Sequence, residues 1–464
     1  METSNKISNP RELALLLMLD LKAKGGRARN ILNRIIRNEN LNELDTSLLT
    51  EIVYGAIRWR GTLDWFIDQY VNKRRLRKIR RSKARNVASI IEILRIGIYQ
   101  MLFLDSIPHH AAVNESVELA KIYGYDGSHG LVNAVLRRIS REIDNLKYPP
   151  IDTYPVNHIS VKYSHPKWLV KRWVNRYGTD EAIKICSANN RRPPIYMRVN
   201  MLRTTRDQLI QFLKDDGVDA VPDPNLSEAV EILSLKKRVS DLSAFKEGWF
   251  QIQDKSFMLV SHILNPKPGE KVIDVCAAPG GKTTHMAELM KNQGDITAFD
   301  NDRERFPLIK ESIDRLGINI VKTIEADARD LDKHLSGMQI DRCLVDVPCS
   351  GLGVLRRRVE TRWRISPEYL GMFPPLQYEI LSSAAGYIKS GGKVLYCTCT
   401  TEPEENQNVV ERFLNSHPDF VLDIPDEISA IGFSDMLTQE GYIQALPHHH
   451  NMDGFFAARM IKKG

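Results

Sequence analysis

Apolar residues recur every three to four positions through the first third of the chain, in ELALLLMLDL (12–21), TSLLTEIVYGAIRW (46–59), ASIIEILRIGIYQMLFL (88–104) and NESVELAKI (114–122). That is the period of helices with one buried face, and it predicts an all-α domain over residues 1–148. Pro108 and the stretch from Gly124 to Gly130 punctuate it as turns, and SHGLVNAVLRRISRE opens a last helix that bears Arg137, Arg138 and Arg141. Tyr148, Pro149 and Pro150 close the domain. Over 149–242 short helices such as PKWLVKRWVNRYG alternate with strand-like PIYMRVN, and a helix from Thr205 to Asp215 follows, which predicts a small α+β module serving as linker or RNA-binding element. From residue 243 to 464 the pattern becomes strand, Gly-rich turn, helix, repeated: KVIDVCA then PGGKTTHMAELM, DITAFD then RERFPLIKESIDRLG, VKTIEAD, DRCLVDV and GGKVLYCTC. This is the alternation of a doubly wound, Rossmann-like α/β domain, whose ligands bind outside the carboxyl ends of the strands.

Composition narrows the class. With 464 residues, 42% hydrophobic and 27% charged, the chain reads as a multidomain globular protein. The longest uncharged apolar run near the N-terminus, Leu13–Leu19, is far short of a membrane span and no cleavage site follows it, so the expectation is a cytoplasmic protein without membrane association. Six cysteines and the absence of any CxxC pair speak for free thiols and against a disulfide scaffold or zinc. The net charge of +7 is mild, but its distribution is not: KRRLRKIRRSKAR, from Lys73 to Arg85, holds nine cations and no acid. Such a field attracts a phosphate backbone. Trp168, Lys171, Arg172, Trp173, Arg176, Arg191, Arg192 and Arg198 read equally as RNA-stacking residues or as core.

VIDVCAAPGGKTTH sets an apolar strand, a Pro-Gly-Gly turn and a helix start in succession, which leaves backbone N–H groups and a helix dipole facing a ligand. Residues Cys276, Ala277, Ala278, Pro279, Gly280, Gly281 and Lys282 are therefore candidate cofactor contacts, with Asp300 at the end of the next strand placed like a ribose-binding acid and Asp327 ending the third. A phosphate loop is set aside because Cys276 stands where that motif has its first glycine, and the GxGxxG spacing of a NAD site is absent. Two further strands end in Asp346-Val347-Pro348-Cys349-Ser350-Gly351 and in Tyr396-Cys397-Thr398-Cys399-Thr400, so thiols gather at the same rim. A thiolate that adds to carbon 6 of cytosine turns carbon 5 into a nucleophile toward a methyl sulfonium. Asp346 is the candidate to hydrogen-bond N3 of that base, and a second thiol at Cys349 is the candidate to assist release. The base must be unstacked for this chemistry. His448-His449-His450 lacks spaced partners, so no metal is expected.

CAAPGGKTTH, DVPCSGLGVLRR with Trp363 beyond it, YCTCTTEPEENQ and DGFFAARM resemble the RsmB/Sun family of RNA cytosine-C5 methyltransferases. The resemblance implies a class I S-adenosylmethionine methyltransferase domain, with Cys399 as nucleophile and Cys349 as the releasing residue. It also implies Cys276 through Lys282 lining the cofactor, Asp300 on its ribose, Asp327 by the adenine, and Asp346 facing the target cytosine at the edge of the cofactor site. Cys397 departs from the pattern, where a small residue such as serine is common, and adds a third thiol that is a further nucleophile or an oxidation partner. TEIVYGAIRWRGTLDWFI, LRIGIYQMLFLDSIPHHAAVNESVELAK and GLVNAVLRRISRE resemble the NusB-like RNA-binding domain of the bacterial small-subunit enzyme, and SHPKWLVKRW and PPIYMRVN carry the likeness through the middle module. The implied substrate is 16S ribosomal RNA, free or in an assembling subunit, with the protein a monomer. Arg356 to Arg358 add to the cations expected on RNA. Transfer RNA as substrate, or a non-enzymatic RNA-binding assembly factor, are the alternatives.

Overall fold

The structure, a computed structural model, describes residues 9–39, 41–235 and 237–464. The chain divides into two compact units: one takes the described residues up to Arg191 together with Arg357–Arg364, the other takes Arg192–Arg356 and Ile365–Gly464.

The first unit is helical. Its central helix, Arg85–Phe103, is long and apolar enough to span a membrane by composition, but it is buried along most of its length by the helices Pro10–Lys24, Glu43–Arg58, Arg60–Tyr70 and His109–Tyr123. Close packing sets the sequence locally. A Cβ at Gly55 would lie 1.9 Å from the Tyr99 ring, so only glycine lets these two helices meet. Inside this core the Arg95 guanidinium lies between the carboxylates of Asp64 and Glu92, at 2.8 and 2.7 Å, which is what allows a buried cation there. Residues 357–364 fold with this unit: Val359 joins its core, Trp363 donates its indole N–H to Ile57 O at 2.7 Å, and the fully buried Arg362 donates to Ser164 O and Asn189 O. The helices Lys167–Tyr177 and Thr179–Asn190 belong to the same unit, and Trp173 is buried there against His165.

The second unit contains two sheets. The first is antiparallel, with strands β1 (Ile195–Val199), β2 (Asp219–Pro222), β3 (Ala229–Ser234) and β4 (Phe250–Ile252) in the order β2-β3-β1-β4. The helix Arg206–Asp215, opened by a capping box between Thr205 and Gln208, covers it. The second sheet holds β5 (Lys271–Asp274), β6 (Asp295–Asp300), β7 (Val321–Glu325), β8 (Ile340–Asp346), β9 (Ile388–Thr398), β10 (Phe420–Leu422), β11 (Ile443–Ala445) and β12 (Phe455–Lys462), in the order β10-β12-β9-β8-β5-β6-β7 with β11 beside β12. Strands β5 to β9 run parallel, and β12 pairs antiparallel with β9. Helices flank both faces, so alternate residues face different cores: Val272, Leu344 and Leu395 on one side, Ile273, Cys343, Val345 and Val394 on the other. The architecture is thus a helical part, a small sheet module and a Rossmann-like α/β domain, as the hydrophobic pattern predicts. The strand order reverses between β5 and β8, the position at which sheets of this type bind ligands.

Candidate active site

β5 delivers the chain into the Cys276–Lys282 turn, and the helix Gly281–Leu289 starts directly after it. Gly280 has φ +95° and a Cβ there would press on Ile309 at 3.2 Å, so the turn requires glycine. No side chain caps this helix at its N-cap Gly280, which leaves its first N–H groups for a ligand. Asp300, at the tip of β6, holds the turn in place: its carboxylate accepts from Ala278 N at 2.7 Å and from Asp302 N at 2.9 Å, and the Arg305 guanidinium bonds Ala278 O. A carboxylate has further lone pairs, so Asp300 can order the turn and still receive ribose hydroxyls. Asp327, beyond β7, is partly exposed and its carboxylate receives Arg329 at 2.8 Å, a hydrogen bond that holds it below the usual carboxylate range.

β8 and β9 lie in register with Asp346 beside Cys397. One Asp346 oxygen takes the Lys282 ammonium at 2.5 Å and the other receives the Cys397 thiol at 3.4 Å. Burial opposes the charge on Lys282, but the Asp346 carboxylate outweighs it and raises its pKa. The same cation sits 4.3 Å from the centre of the Phe257 ring. Burial and the neighbouring Asp346 push the Cys397 thiol up, so at neutral pH it is a hydrogen-bond donor.

Cys349 and Cys399 approach to 3.2 Å between sulfurs. The hydrogen bond shared with Cys399, together with burial, raises the Cys349 pKa well above its ordinary value, so at neutral pH Cys349 is a thiol. The loop bearing Cys349 is fixed from beneath by Glu405, which accepts from Ser350 N at 2.8 Å, Ser350 Oγ at 2.5 Å and Gln377 Nε2 at 3.0 Å. Burial raises the pKa of Glu405. Gly353 N donates to Cys399 O at 3.0 Å, which ties the two thiol loops by backbone as well.

The structure brings together at one rim Lys282, Asp346, Cys397, Cys349 and Cys399, with the Cys276–Lys282 turn and Asp300 behind them. Two further residues, Glu405 and Asp274, escaped the sequence reading, and a third, Arg198, was seen without its partners. Glu405 lies six residues past Cys399 in PEEN, where an acid reads as a solvated turn. Asp274 is buried at the end of β5, where its carboxylate accepts from Thr283 Oγ1 at 2.7 Å and burial lifts its pKa to about 7. An aspartate closing an apolar strand was the available signal. Arg198 of β1, which the sequence left open between RNA contact and core, is fully buried: it bonds Glu288 at 2.7 Å, Thr284 Oγ1 at 3.0 Å and Gly281 O at 2.6 Å, all on the helix Gly281–Leu289. Arg356 is likewise buried, paired with Asp453 at 2.8 Å, and Trp173 is core.

Family models match over three stretches: the NusB family at residues 8–141, the ferredoxin-like domain of RsmF/B-type methyltransferases at 165–237, and the 16S rRNA methyltransferase RsmB/F at 261–461. Probable ribosomal RNA small subunit methyltransferase B from Bacillus subtilis is 37% identical over 99% of this chain and 100% of its own length. The chain belongs to the RsmB/F family of 16S rRNA methyltransferases. Ribosomal RNA small subunit methyltransferase B from Salmonella paratyphi B is 33% identical over 99% of the chain and 100% of its own. Among solved structures, PH0851 superposes with a TM-score of 0.77 at 30% identity, covering 99% of this chain and 100% of that one. NSun6 from Pyrococcus horikoshii, with SFG, gives a TM-score of 0.57 at 26% identity over 64% of this chain and 98% of that one. In this RsmB/F member the family's methyltransferase match spans every residue of the rim just described, from Lys282 to Cys399.

Proposed function

We propose that this RsmB/F protein methylates carbon 5 of a cytosine in 16S rRNA, with S-adenosylmethionine as donor and Cys399 as nucleophile. The observation that carries this reading is the 3.2 Å approach of Cys349 and Cys399 beside the Lys282–Asp346 pair at the carboxyl ends of β8 and β9. Cys349, with its sulfur 3.2 Å from that of Cys399, can donate an S–H to a thiolate there. That thiolate forms a bond to carbon 6, and the ring electrons it displaces make carbon 5 nucleophilic. Asp346, oriented by Lys282 on one oxygen and by Cys397 on the other, faces the N3 edge of the base, where a proton held between its carboxyl and N3 offsets the negative charge that the addition pushes into the ring. S-adenosylmethionine supplies an electrophilic methyl when bound. The uncapped helix start after Gly280, Asp300 and Asp327 form a polar cradle that fits a nucleoside, and the Cys276–Lys282 turn would line it, with Asp346 at its edge. Once carbon 5 carries the methyl, a base removes its hydrogen as a proton, the double bond re-forms and the Cys399 thiolate leaves, with the Cys349 proton available to it.

RNA is held by a separate surface. In the helix Lys73–Arg81, Leu76 and Ile79 are buried while Lys73, Arg74, Arg77, Lys78 and Arg81 line an open concavity, and no carboxylate among the described residues pairs with these five. The protein acts as a monomer in the cytoplasm, where the small subunit is made.

The test is methylation of 16S rRNA lacking this modification, with labelled S-adenosylmethionine. Wild type yields labelled 5-methylcytosine, Cys399→Ala gives none, and Cys349→Ala accumulates a protein–RNA adduct that survives a denaturing gel. Turnover by Cys399→Ala would remove it as nucleophile, and label confined to transfer RNA would move the substrate.

A further inference from the structure

Beneath the cofactor helix the second unit carries a cluster that the methyl-transfer chemistry does not use. Glu228 precedes β3, His262 lies in the helix Lys255–Leu264 and His285 in the helix Gly281–Leu289. The three offer one carboxylate oxygen and two imidazole nitrogens, all within 4.8 Å of one another. Glu228 Oε1 is 2.6 Å from His262 Nε2 and 3.3 Å from His285 Nε2. The rings of His262 and His285 stand edge to face with centroids 5.3 Å apart.

His285 sets the problem. Its side chain is 1% exposed, yet neither ring nitrogen has a hydrogen-bond partner. A buried polar group left in that state is destabilising, and proteins retain few of them without a reason. The 3.3 Å contact to Glu228 lacks hydrogen-bond alignment, which is the geometry expected of two ligands of one ion. Each donor then points along its own lone pair at the metal, and not along the line to its neighbour. Tetrahedral coordination with metal–nitrogen and metal–oxygen bonds of zinc length sets adjacent donor atoms about 3.3 Å apart. The Glu228–His285 separation already has that value, and the Glu228–His262 hydrogen bond would open by about 0.7 Å as the ion replaces the proton.

We propose that Glu228, His262 and His285 form a binding site for a borderline divalent transition ion of the zinc class. Two imidazoles and one carboxylate suit zinc and its neighbours and do not suit calcium or magnesium, which take oxygen ligands. His262 keeps 20% of its side chain exposed, which gives an entry path and room for a water as fourth ligand. The ligands come from three elements far apart in sequence, so no local spacing announces the site. The ion ties the cofactor helix, through His285, to β3 of the antiparallel sheet and to the helix carrying His262.

The experiment is titration of the full-length, chelator-treated protein with Co(II), read by absorption and by metal analysis, followed by competition with Zn(II). The proposal requires one equivalent of Co(II), with visible bands of a four-coordinate nitrogen and oxygen site, displaced by Zn(II). His262→Ala and Glu228→Gln each weaken binding at least tenfold, and Zn(II) raises the melting temperature of wild type but not of these variants. His262 is partly exposed, so its variant keeps the readout if His285→Ala does not fold; circular dichroism checks each protein. Less than a tenth of an equivalent in wild type overturns the proposal. So do bands that persist in both variants, thiolate-to-cobalt charge transfer lost in Cys349→Ala, or binding abolished by His449→Ala.

Discussion

Asp274 carries a cost that its position explains. It ends β5 with no exposed surface to speak of, and burial, with a contribution from the Asp346 charge, lifts its pKa to about 7 from 3.8. Below pH 4 the carboxyl is protonated in folded and unfolded chains alike and nothing is lost. Between these values the folded chain keeps a proton that the unfolded chain has released, so stability falls as pH rises, and above pH 7 the full penalty remains. A shift of this size corresponds to about 4 kcal/mol at most. Asp274→Asn keeps the size and an acceptor for Thr283 but does not titrate. Its melting temperature should therefore gain on wild type steadily from pH 4 to pH 7 and hold the difference above that. A gap independent of pH would mean that Asp274 does not hold its proton.

At the scale of elements, the helix Gly281–Leu289, the proposed cofactor helix, is held by Arg198. Its guanidinium joins β1 to Glu288, Thr284 and Gly281 O and also bonds Gln253, so one side chain reaches along two turns of the helix Gly281–Leu289 and to its first carbonyl. Arg198→Met would leave the Glu288 carboxylate buried and unpaired, at about 3–5 kcal/mol, and should raise the dissociation constant for S-adenosylmethionine. Adding Glu288→Leu should restore most of the stability, because it removes the stranded charge, but not the cofactor affinity, because the helix start stays loose. Calorimetric binding and melting of the two variants separate these effects; recovery of both together would reduce Arg198 to a packing residue. The same residue shows where sequence reading ends. The strands of the parallel sheet were legible because residues buried on both faces form apolar runs that an aspartate closes, as in Val272-Ile273-Asp274 and Cys343-Leu344-Val345-Asp346, and the thiol and Gly-rich motifs because they follow those runs. An arginine, by contrast, reads alike whether it meets a phosphate or a buried acid, and the partner of Arg198 lies 90 residues away. The return of residues 357–364 to the helical unit was hidden for a similar reason: Val359 and Trp363 sit in a segment whose cations suggested RNA, while their apolar contacts are with helices some 300 residues earlier.

Across the whole molecule, a net charge of +7 says little about RNA, since some cations are spent inside the fold: Arg95, Arg198, Arg356 and Arg459 each face carboxylates there. The imbalance is concentrated in Lys73–Arg81, where burial of Leu76 and Ile79 turns the remaining side chains outward and no acid shares the helix. Affinity for RNA should then be governed by phosphates neutralised there, and each such contact contributes about 0.7 to 0.9 to the slope of log affinity against log salt. Replacing Arg74, Arg77, Lys78 and Arg81 by Gln should weaken 16S rRNA binding at low salt and flatten that slope by about 3, with single- and mixed-sequence RNAs affected alike, because phosphate contacts position without specifying. In turnover the loss should fall on KM for RNA more than on kcat, since none of these side chains belongs to the Asp346, Cys349 and Cys399 rim. A slope left unchanged by all four substitutions would assign the phosphate contacts to another surface, and a fall confined to kcat would mean that this helix acts on the bound complex instead of on its formation.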